Sequence, residues 1–157
     1  TAEQFDPSLS WDDVARIKDE WGGKLIIKGI MEPEDAEAAV KNGADAIVVS
    51  NHGGRQLDGA PSSIRALPSI VSAVGSDIEV WMDGGIRSGQ DILRAWALGA
   101  RGVLIGRPYI YGLGAYGEAG VTRALEILYN EMDITMAFTG HRNIQNVTRD
   151  ILVEGTY

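Results

Sequence analysis

Two reactive side chains follow a short apolar segment of the chain. His52 and Arg55 lie in SNHGGRQLD, residues 50–58, directly after the apolar run at residues 46–49. A histidine can accept a hydroxyl proton near neutral pH, and an arginine can bind a carboxylate through two parallel hydrogen bonds. A lone histidine is more often a hydrogen-bonded structural residue, but the adjacent glycines leave space here for a ligand. The pair therefore predicts a site for a 2-hydroxy acid, with His52 as the base and Arg55 on the carboxylate.

Two loops that combine glycine with arginine could bind a phosphate. MDGGIRSG spans residues 82–89, and IGRP spans residues 105–108. Glycines let backbone N–H groups approach an oxyanion closely, and an arginine adds a forked cationic donor. A glycine pair alone is typical of a tight turn, but two such loops after successive apolar runs favour a divided phosphate site. Its candidate residues are Asp83, Gly84, Gly85, Ile86, Arg87, Gly106 and Arg107.

Three further charged residues each have more than one interpretation. Asp83 could cap a helix, hold Arg87 or accept hydrogen bonds from a ribityl hydroxyl. Lys28 ends an apolar run, where a lysine normally extends to solvent. Beside a flavin, its charge would lie near N1 and the C2 carbonyl, where negative charge collects on reduction. Asp58 could equally orient Arg55 or cap a turn.

Four short apolar runs are predicted to be the strands that position these residues. They begin at residues 25, 46, 78 and 102, and spacings of 21 to 32 residues suit βα units joined by right-handed crossovers. Three of the runs are continuous rather than alternating, which is typical of parallel strands buried on both faces.

Helical patterns lie between and beyond these strands. Residues 32–35 and the capping pattern at residues 88–91 start two helices, which stop at Asn42-Gly43 and at Gly99. Residues 64–74 and residues 11–21, the latter capped by Ser10, form two more, and the tail from residue 141 is expected to hold a short helix and coil. A stripe packed in the core is expected on a long C-terminal helix, at Val121, Leu125, Leu128, Met132 and Met136.

Every candidate residue or loop comes at the carboxyl end of a predicted strand. In parallel α/β folds that edge of the sheet carries the active site. In (β/α)8 barrels a phosphate site is commonly built from the loops after the seventh and eighth strands. We therefore expect an α/β fold, a (β/α)8 TIM barrel, in which the runs at 78–82 and 102–105 are the last two strands and a long helix follows.

Composition excludes several classes of protein. The 157 residues, 45% hydrophobic and 23% charged, suit one globular domain. The lack of cysteine excludes disulfides and thiolate metal sites, and two histidines are too few for a His-rich metal site. A net charge of -8 argues against nucleic acid, whose phosphates bind basic faces. Because no apolar run approaches the roughly 18–20 residues of a membrane span and no signal sequence opens the chain, we expect a soluble protein.

The motifs, taken together, resemble a known family. KGI, SNHGGRQLDG, DGGIRSG and IGRP, in this order and at these spacings, are similar to the FMN-dependent 2-hydroxy acid dehydrogenases and oxidases. With QFDPSLSW and GADAIVVSNHGGRQLDG, the likeness is greatest to bacterial flavin-type L-lactate dehydrogenases, with mandelate dehydrogenases and glycolate oxidases close behind. The resemblance implies FMN as cofactor, with Lys28 at the flavin ring, Ser50 on FMN, His52 as general base and Arg55 on the substrate carboxylate. It assigns the ribityl chain and phosphate to residues 83–87, Gly106 and Arg107.

The resemblance covers only the second half of the family's barrel, the fifth to eighth strands. The first half supplies tyrosines that touch substrate and an aspartate that orients the histidine, and neither has a counterpart here. We therefore expect residues 1–157 to be the C-terminal half of a larger enzyme, or an isolated half-barrel, inactive without the N-terminal half. Four parallel strands would leave two unpaired edges, so this half should associate with the N-terminal half or with itself.

The resemblance also implies partners and a location. It implies a homo-oligomer, which is a tetramer in the family, in the cytoplasm or peripherally on the inner face of the cytoplasmic membrane. Gly53-Gly54, where many oxidases of the family have Gly-Ala, favours a dehydrogenase that passes electrons to a quinone or cytochrome rather than to oxygen.

Two other functions fit parts of the same sequence. Another FMN or sugar-phosphate barrel, such as an isomerase or synthase, would use the phosphate site without needing the His52/Arg55 pair. A noncatalytic flavin- or phosphate-binding half-barrel would bind the cofactor and leave it unreduced by substrate.

Overall fold

Parallel strands alternate with helices throughout the computed structural model, which describes residue 6 and residues 8–155. Gln4, Phe5 and Pro7 of the motif QFDPSLSW lie outside the described residues. Two 3₁₀ turns, Ile144–Asn146 and Arg149–Ile151, form the tail, where the sequence predicts one short helix. The main elements are α1 (Trp11–Trp21), β1 (Ile26–Ile30), α2 (Pro33–Lys41), β2 (Ala46–Val49), α3 (Ser63–Val74), β3 (Glu79–Asp83), α4 (Gly89–Ala97), β4 (Gly102–Leu104) and α5 (Arg107–Phe138).

The four strands form one parallel sheet in the order β1-β2-β3-β4. Each strand pairs with the next one in the chain, and α2, α3 and α4 make the connections. Because the order never reverses, right-handed crossovers place these helices on the same face of the sheet. This progression is that of a barrel segment, whereas a doubly wound sheet reverses its order at a switch point.

The helices start where the capping signals predict. At the start of α1 the N–H and hydroxyl of Ser10 donate to the Asp13 carboxylate, and at the start of α4 Ser88 and Asp91 form a reciprocal capping box. Gly22, with φ 63°, ends α1 in the left-handed conformation that glycine tolerates. These local signals confirm the predicted helices to within about a residue.

The core lies between the sheet and the crossover helices. Ile47 and Val49 of β2 and Val80 and Met82 of β3 are at most 1% exposed and pack against the apolar faces of the helices. Of the described strands, β2 alone is buried at every position, as the continuous apolar runs predict for three of the four. The expectation is wrong for the two edge strands, where Ile26 of β1 is 43% exposed and Leu104 of β4 is 37% exposed, because each edge lacks a neighbouring strand in the described part of the chain.

Helix α5 begins earlier and packs over a shorter length than its apolar stripe predicts. It starts at Arg107 and bends at Tyr116 and Gly117. Leu128 and Met136 are buried, Met136 with Leu93 and Ala97 of α4, but Leu125 is 51% exposed, which corrects the predicted stripe. The reason is that the first residue of α4 lies against residues 128–132, so Leu125, one turn earlier on α5, has no part of α4 beside it.

A carboxylate at the amino end of the sheet ties α1 to the neighbouring strands. Asp45, whose side chain is 22% exposed, accepts hydrogen bonds from Lys18 Nζ, from Lys24 Nζ at 2.8 Å and from the Leu25 N–H at 2.8 Å. These donors stabilise the ionised form of Asp45 and so hold its pKa well below its ordinary value. The Lys18 ammonium has the largest effect, followed by Lys24 and the Leu25 N–H. A group with a lowered folded-state pKa adds stability above its unfolded-state pKa and loses it as the pH falls through the folded-state pKa.

Replacing Asp45 with asparagine is expected to lower the melting temperature at pH 7. The penalty should shrink as the pH falls below about 4, the ordinary pKa of an aspartate, because the wild-type carboxylate then begins to lose its advantage. Thermal melts between pH 7 and pH 3.5 measure both effects. Asp19→Asn, at an exposed position on α1, is the control. A penalty for Asp45→Asn that is equal at both pH values would contradict the ion-pair explanation.

Among the described residues, none of the helices has both the length and the apolar character needed to span a membrane.

Candidate functional site

The carboxyl ends of all four strands border one cavity of about 310 Å³. β1 contributes Lys28, and the loop after β2 contributes His52 and Gly53. The loops after β3 and β4 contribute residues 83–87 and 104–107. Candidate residues that are up to 79 positions apart in the sequence, from Lys28 to Arg107, therefore face one space.

A bulge at Gly29 separates Lys28, which lines the cavity, from the core residue Ile30. The pairing of β1 with β2 shifts between Lys28 and Ile30, and Gly29 has φ 101°. The inserted residue lets Ile30 stay in the helix-side core, 5% exposed, while Lys28 lies on the other face of the sheet. Lys28 Nζ lies 2.8 Å from Asp83 Oδ2 and donates to Ser50 Oγ at 2.9 Å. The partner of Asp83 is thus Lys28 and not Arg87.

One carboxylate oxygen of Asp83 has no hydrogen-bond donor among the described residues. Asp83 Oδ1 is buried and, among the described residues, has no hydrogen-bond partner, whereas Oδ2 is paired with Lys28. A buried carboxylate oxygen without a partner is costly, and native structures rarely keep one without a ligand or water. Because Asp83 lines the cavity, a hydroxyl group bound there would satisfy it.

His52 has an unusual backbone conformation at the rim of the cavity. Its φ of 56° makes it the one non-glycine residue with positive φ in the described part of the chain. The His52 N–H donates to Ser50 Oγ at 3.1 Å. A Cβ atom built on Gly29 would lie 3.4 Å from His52 Cε1, so the imidazole packs against the bulge that follows Lys28.

The loop after β3 presents main chain to the cavity. Gly84 and Gly85 have φ values of 84° and 81°, which glycine alone adopts readily. A Cβ atom on Gly84 would lie 3.1 Å from Ser63 Oγ, whereas one on Gly85 would meet nothing within 4 Å. Ile86 packs its side chain in the core at 4% exposure, which leaves its backbone to the cavity, and Arg87 is exposed at the rim.

The start of α5 faces the same cavity. Gly106 is its N-cap residue, and Arg107 and Pro108 open the helix. The first N–H groups of a helix have no intrahelical partner and carry partial positive charge, which favours an anion. This helix end lies at the same cavity as Arg87 and Arg107, the two arginines that the sequence predicts for a phosphate site.

Two predicted site residues do not line the cavity. Ser50 is 1% exposed and lies behind Lys28, with which it is hydrogen-bonded. Arg55 is exposed, and its backbone N–H donates to the His52 carbonyl at 3.4 Å. Asp58 Oδ1 accepts from the Gly59 N–H at 3.0 Å, so Asp58 shapes a turn, one of its two predicted roles.

The sequence interpretation missed Gly29, Asn51 and Ser63. Gly29 forms the bulge, and Ser63, 3% exposed, packs beneath Gly84. Asn51 bonds to three parts of the chain around His52. A glycine inside a strand pattern is a known sign of a bulge, and an asparagine before glycines is a known sign of a turn, so Gly29 and Asn51 carried a usable signal.

Comparison with known proteins extends to nearly the whole chain. The profile of the FMN-dependent dehydrogenase family matches residues 1–154. An L-lactate dehydrogenase of Caulobacter vibrioides (strain NA1000 / CB15N) is 57% identical over 153 residues, which are 98% of this chain and 40% of the relative. One of Actinobacillus pleuropneumoniae serotype 5b (strain L20) is 56% identical over 97% of this chain and 40% of the relative.

Solved structures show the same fold. A monotopic membrane protein, (S)-mandelate dehydrogenase, superposes with a TM-score of 0.92 at 41% identity, over 97% of this chain and 40% of that one. A mandelate oxidase with (S)-4-hydroxymandelic acid gives a TM-score of 0.89 at 46% identity, over 95% and 42%. The chain thus spans about two fifths of the length of the relatives that it matches. The four-stranded sheet is part of a TIM barrel, as the order of its strands indicates.

Proposed function

The chain belongs to the FMN-dependent dehydrogenase family, and from this we propose that it is the C-terminal half, residues 1–157, of an enzyme that oxidises an L-2-hydroxy acid to the 2-oxo acid. L-lactate is the foremost substrate, since the most similar curated relatives reported above are L-lactate dehydrogenases. The observation that carries the proposal is the shared cavity, in which a histidine, a lysine–aspartate pair and two glycine–arginine loops meet.

The residues at the cavity suit FMN. Bound FMN supplies the acceptor for the two electrons that leave the substrate. Lys28 would place its charge at the flavin ring, and Asp83 Oδ1 would accept a hydrogen bond from a ribityl hydroxyl. The glycines, whose Cβ positions stay free at Gly85 and Gly106, would let backbone N–H groups reach the phosphate. The full set proposed for the cofactor is Lys28, Ser50, Asp83, Gly84, Gly85, Ile86, Arg87, Gly106 and Arg107.

The loop after β2 would act on the substrate. His52 would take the hydroxyl proton as the substrate loses two electrons, and Arg55 would bind the carboxylate through two parallel hydrogen bonds. Arg55 follows His52 by three residues on an exposed loop, so a rotation of its long side chain could bring it to the rim.

The N-terminal half of the enzyme would complete the barrel, and the whole enzyme would have further partners. Strands β1 and β4 are the edges of the sheet, and the N-terminal half would pair with them. Family resemblance supports a homo-oligomer, and a quinone or cytochrome as the electron acceptor. A cytoplasmic location, with peripheral contact to the inner face of the cytoplasmic membrane, is supported by the similar structure of a monotopic membrane protein.

Anaerobic stopped-flow absorbance of the full-length, FMN-loaded protein tests the proposal. L-lactate should bleach the flavin faster than L-mandelate or glycolate, and D-lactate should leave it yellow. Mixing the reduced protein with a quinone or with oxygen then identifies the acceptor. Bound FMN that stays yellow with every 2-hydroxy acid would overturn the proposal and favour a noncatalytic flavin-binding role.

Replacing Arg107 with methionine is expected to weaken FMN binding about 10- to 100-fold. The variant removes a charge-assisted hydrogen bond to the phosphate, a bond type that contributes roughly 1.5–3 kcal/mol. Quenching of FMN fluorescence on titration with the apoprotein measures the dissociation constant. Arg101→Met is the matched control, because that guanidinium lies 5.0 Å from the centroid of the Trp96 ring and outside the cavity. Equal FMN affinity in both variants would argue against a phosphate at Arg107.

A further inference from the structure

The loop after β2 contains a backbone conformation that is unfavourable for one of its residues, His52. His52, Gly53 and Gly54 have φ values of 56°, 67° and 72°, which are three successive left-handed residues. Such a conformation costs free energy at a residue with a side chain and persists only where surrounding contacts impose it. Residues 52–59 of this loop are exposed, so core packing does not impose it.

The side chain of Asn51 joins the two ends of this loop. Its Oδ1 accepts from the Gly53 N–H at 2.9 Å, which fixes the first turn. Its Nδ2 donates to the Pro61 carbonyl at 2.9 Å, where the loop returns to the body of the protein. A single amide therefore bonds to both the outgoing and the returning chain.

The backbone of Asn51 is anchored beside the glycine loop after β3. Its N–H donates to Ser63 Oγ at 3.4 Å, and its carbonyl accepts from the Gly54 N–H at 3.0 Å. Ser63 is 3% exposed, and the Cβ position of Gly84 lies 3.1 Å from its hydroxyl. Asn51 thus connects the histidine loop to the glycine turn that borders the same cavity.

We propose that Asn51 is a positioning residue. Its side chain holds the two ends of the loop at residues 52–60 together and so fixes the positions of His52 and Arg55. The inference rests on the proposed function for the roles of those two side chains. Asn51 does not line the cavity, and it acts through the hydrogen bonds to Gly53 and Pro61. Without them, the left-handed turn at His52 would open and the distance between the base and the cofactor would vary.

Two variants of Asn51 separate its two hydrogen bonds in the full-length, FMN-loaded protein. Asn51→Asp keeps the oxygen that accepts from Gly53 and removes the donor to Pro61, whereas Asn51→Ala removes both. Asn143→Ala is a matched control, because Asn143 Oδ1 accepts from the Gln145 N–H at 3.0 Å in the same type of turn outside the cavity.

The first measurement is the rate of tryptic cleavage after Arg55, followed by mass spectrometry. Cleavage requires the loop to open, and each hydrogen bond lost should raise the open population roughly 2- to 10-fold. We expect the order wild type, Asn51→Asp, Asn51→Ala, with Asn143→Ala equal to wild type. Equal cleavage in all four proteins would overturn the proposal.

The second measurement separates positioning from general stability. The rate of flavin reduction at saturating L-lactate should fall by up to about 100-fold in Asn51→Ala, because a misplacement of about 1 Å can cost that much. The FMN dissociation constant should change less than about threefold, since the residues proposed for the phosphate lie on the loops after β3 and β4. A parallel loss of FMN affinity and of thermal stability in both Asn51 variants would overturn the positioning role. Cleavage needs no substrate, so it still tests the loop closure if wild type fails to react with L-lactate, a result that overturns the proposed function alone.

Discussion

Replacing His52 with asparagine is expected to slow flavin reduction by L-lactate about 10²- to 10⁴-fold, which is the usual contribution of a general base. Asparagine is the appropriate replacement because it tolerates the left-handed φ of 56° at this position, whereas alanine would add backbone strain. FMN should remain bound, because the proposed phosphate contacts lie on the loops after β3 and β4. Stopped-flow absorbance gives the reduction rate, and fluorescence quenching gives the FMN dissociation constant.

The second histidine of the chain provides the control. The protein has two histidines, and His141, whose Nδ1 lies 3.3 Å from Thr139 Oγ1, does not line the cavity. His141→Asn should therefore reduce its flavin at the wild-type rate. If His52→Asn retained more than about a tenth of the wild-type rate with FMN bound, His52 would not be the base, and another FMN or phosphate-binding barrel would become the better interpretation.

How well the sequence predicts each strand depends on where the strand lies in the sheet. The bounds of β2 are predicted to the residue, because a run of four buried apolar residues between turn signals has one interpretation. The same type of run at residues 25–27 and 102–105 is half-exposed in the structure. An apolar run indicates that a strand is buried in the folded protein, but it does not show whether the residues that bury it belong to the described part of the chain. Ile26 and Leu104 would be buried by strands that belong to the rest of the barrel.

The site was predicted as a set of residues but not as a geometry. The rule that strands end at the active edge is enough to bring His52 and Arg107 to one cavity. The bulge at Gly29 lets Ile30 lie on the opposite face from Lys28, because without it the alternation along β1 would place both residues on the same face. The position of Arg55 depends on a loop with three left-handed residues, and this loop is tied back to the body of the protein by the hydrogen bond from Asn51 to Pro61.

Helices α4 and α5 approach each other so closely at Gly89 that no residue with a Cβ atom fits there. A Cβ atom on Gly89, the first residue of α4, would lie 2.0 Å from Met132 N, 2.5 Å from Glu131 C and 2.6 Å from Leu128 O. The Gly89 N–H also donates to Glu131 Oε2 at 2.9 Å. All three close atoms belong to the backbone of α5, so no side chain can rotate to make room.

Replacing Gly89 with alanine is therefore expected to destabilise the fold by about 3 kcal/mol or more, the upper range for overpacking. The helices would have to separate, which would open the small core that Leu93, Met136 and Val147 fill between them. The melting temperature should fall by roughly 6 °C or more. Thermal unfolding followed by circular dichroism measures the shift.

Gly114→Ala on α5 is the control for this substitution. A Cβ atom at Gly114 would meet nothing within 4 Å, so alanine there should leave stability unchanged or raise it by up to about 1 kcal/mol. Equal melting temperatures for the two variants would show that the α4–α5 contact can relax without cost.

The consequence of the Gly89 contact extends to the cavity. Helix α4 follows the loop of Gly84 and Arg87, and α5 begins at Arg107, so the spacing of the two helices also sets the spacing of the two glycine–arginine loops. A second close glycine contact, between Gly112 and Gly120, packs the first segment of α5 against the second, so we expect a shift of the second segment to displace the helix start. Gly89→Ala should for this reason weaken FMN binding even at temperatures where the protein stays folded. Unchanged FMN affinity in the folded variant would mean that the two loops hold their positions independently of the helices behind them.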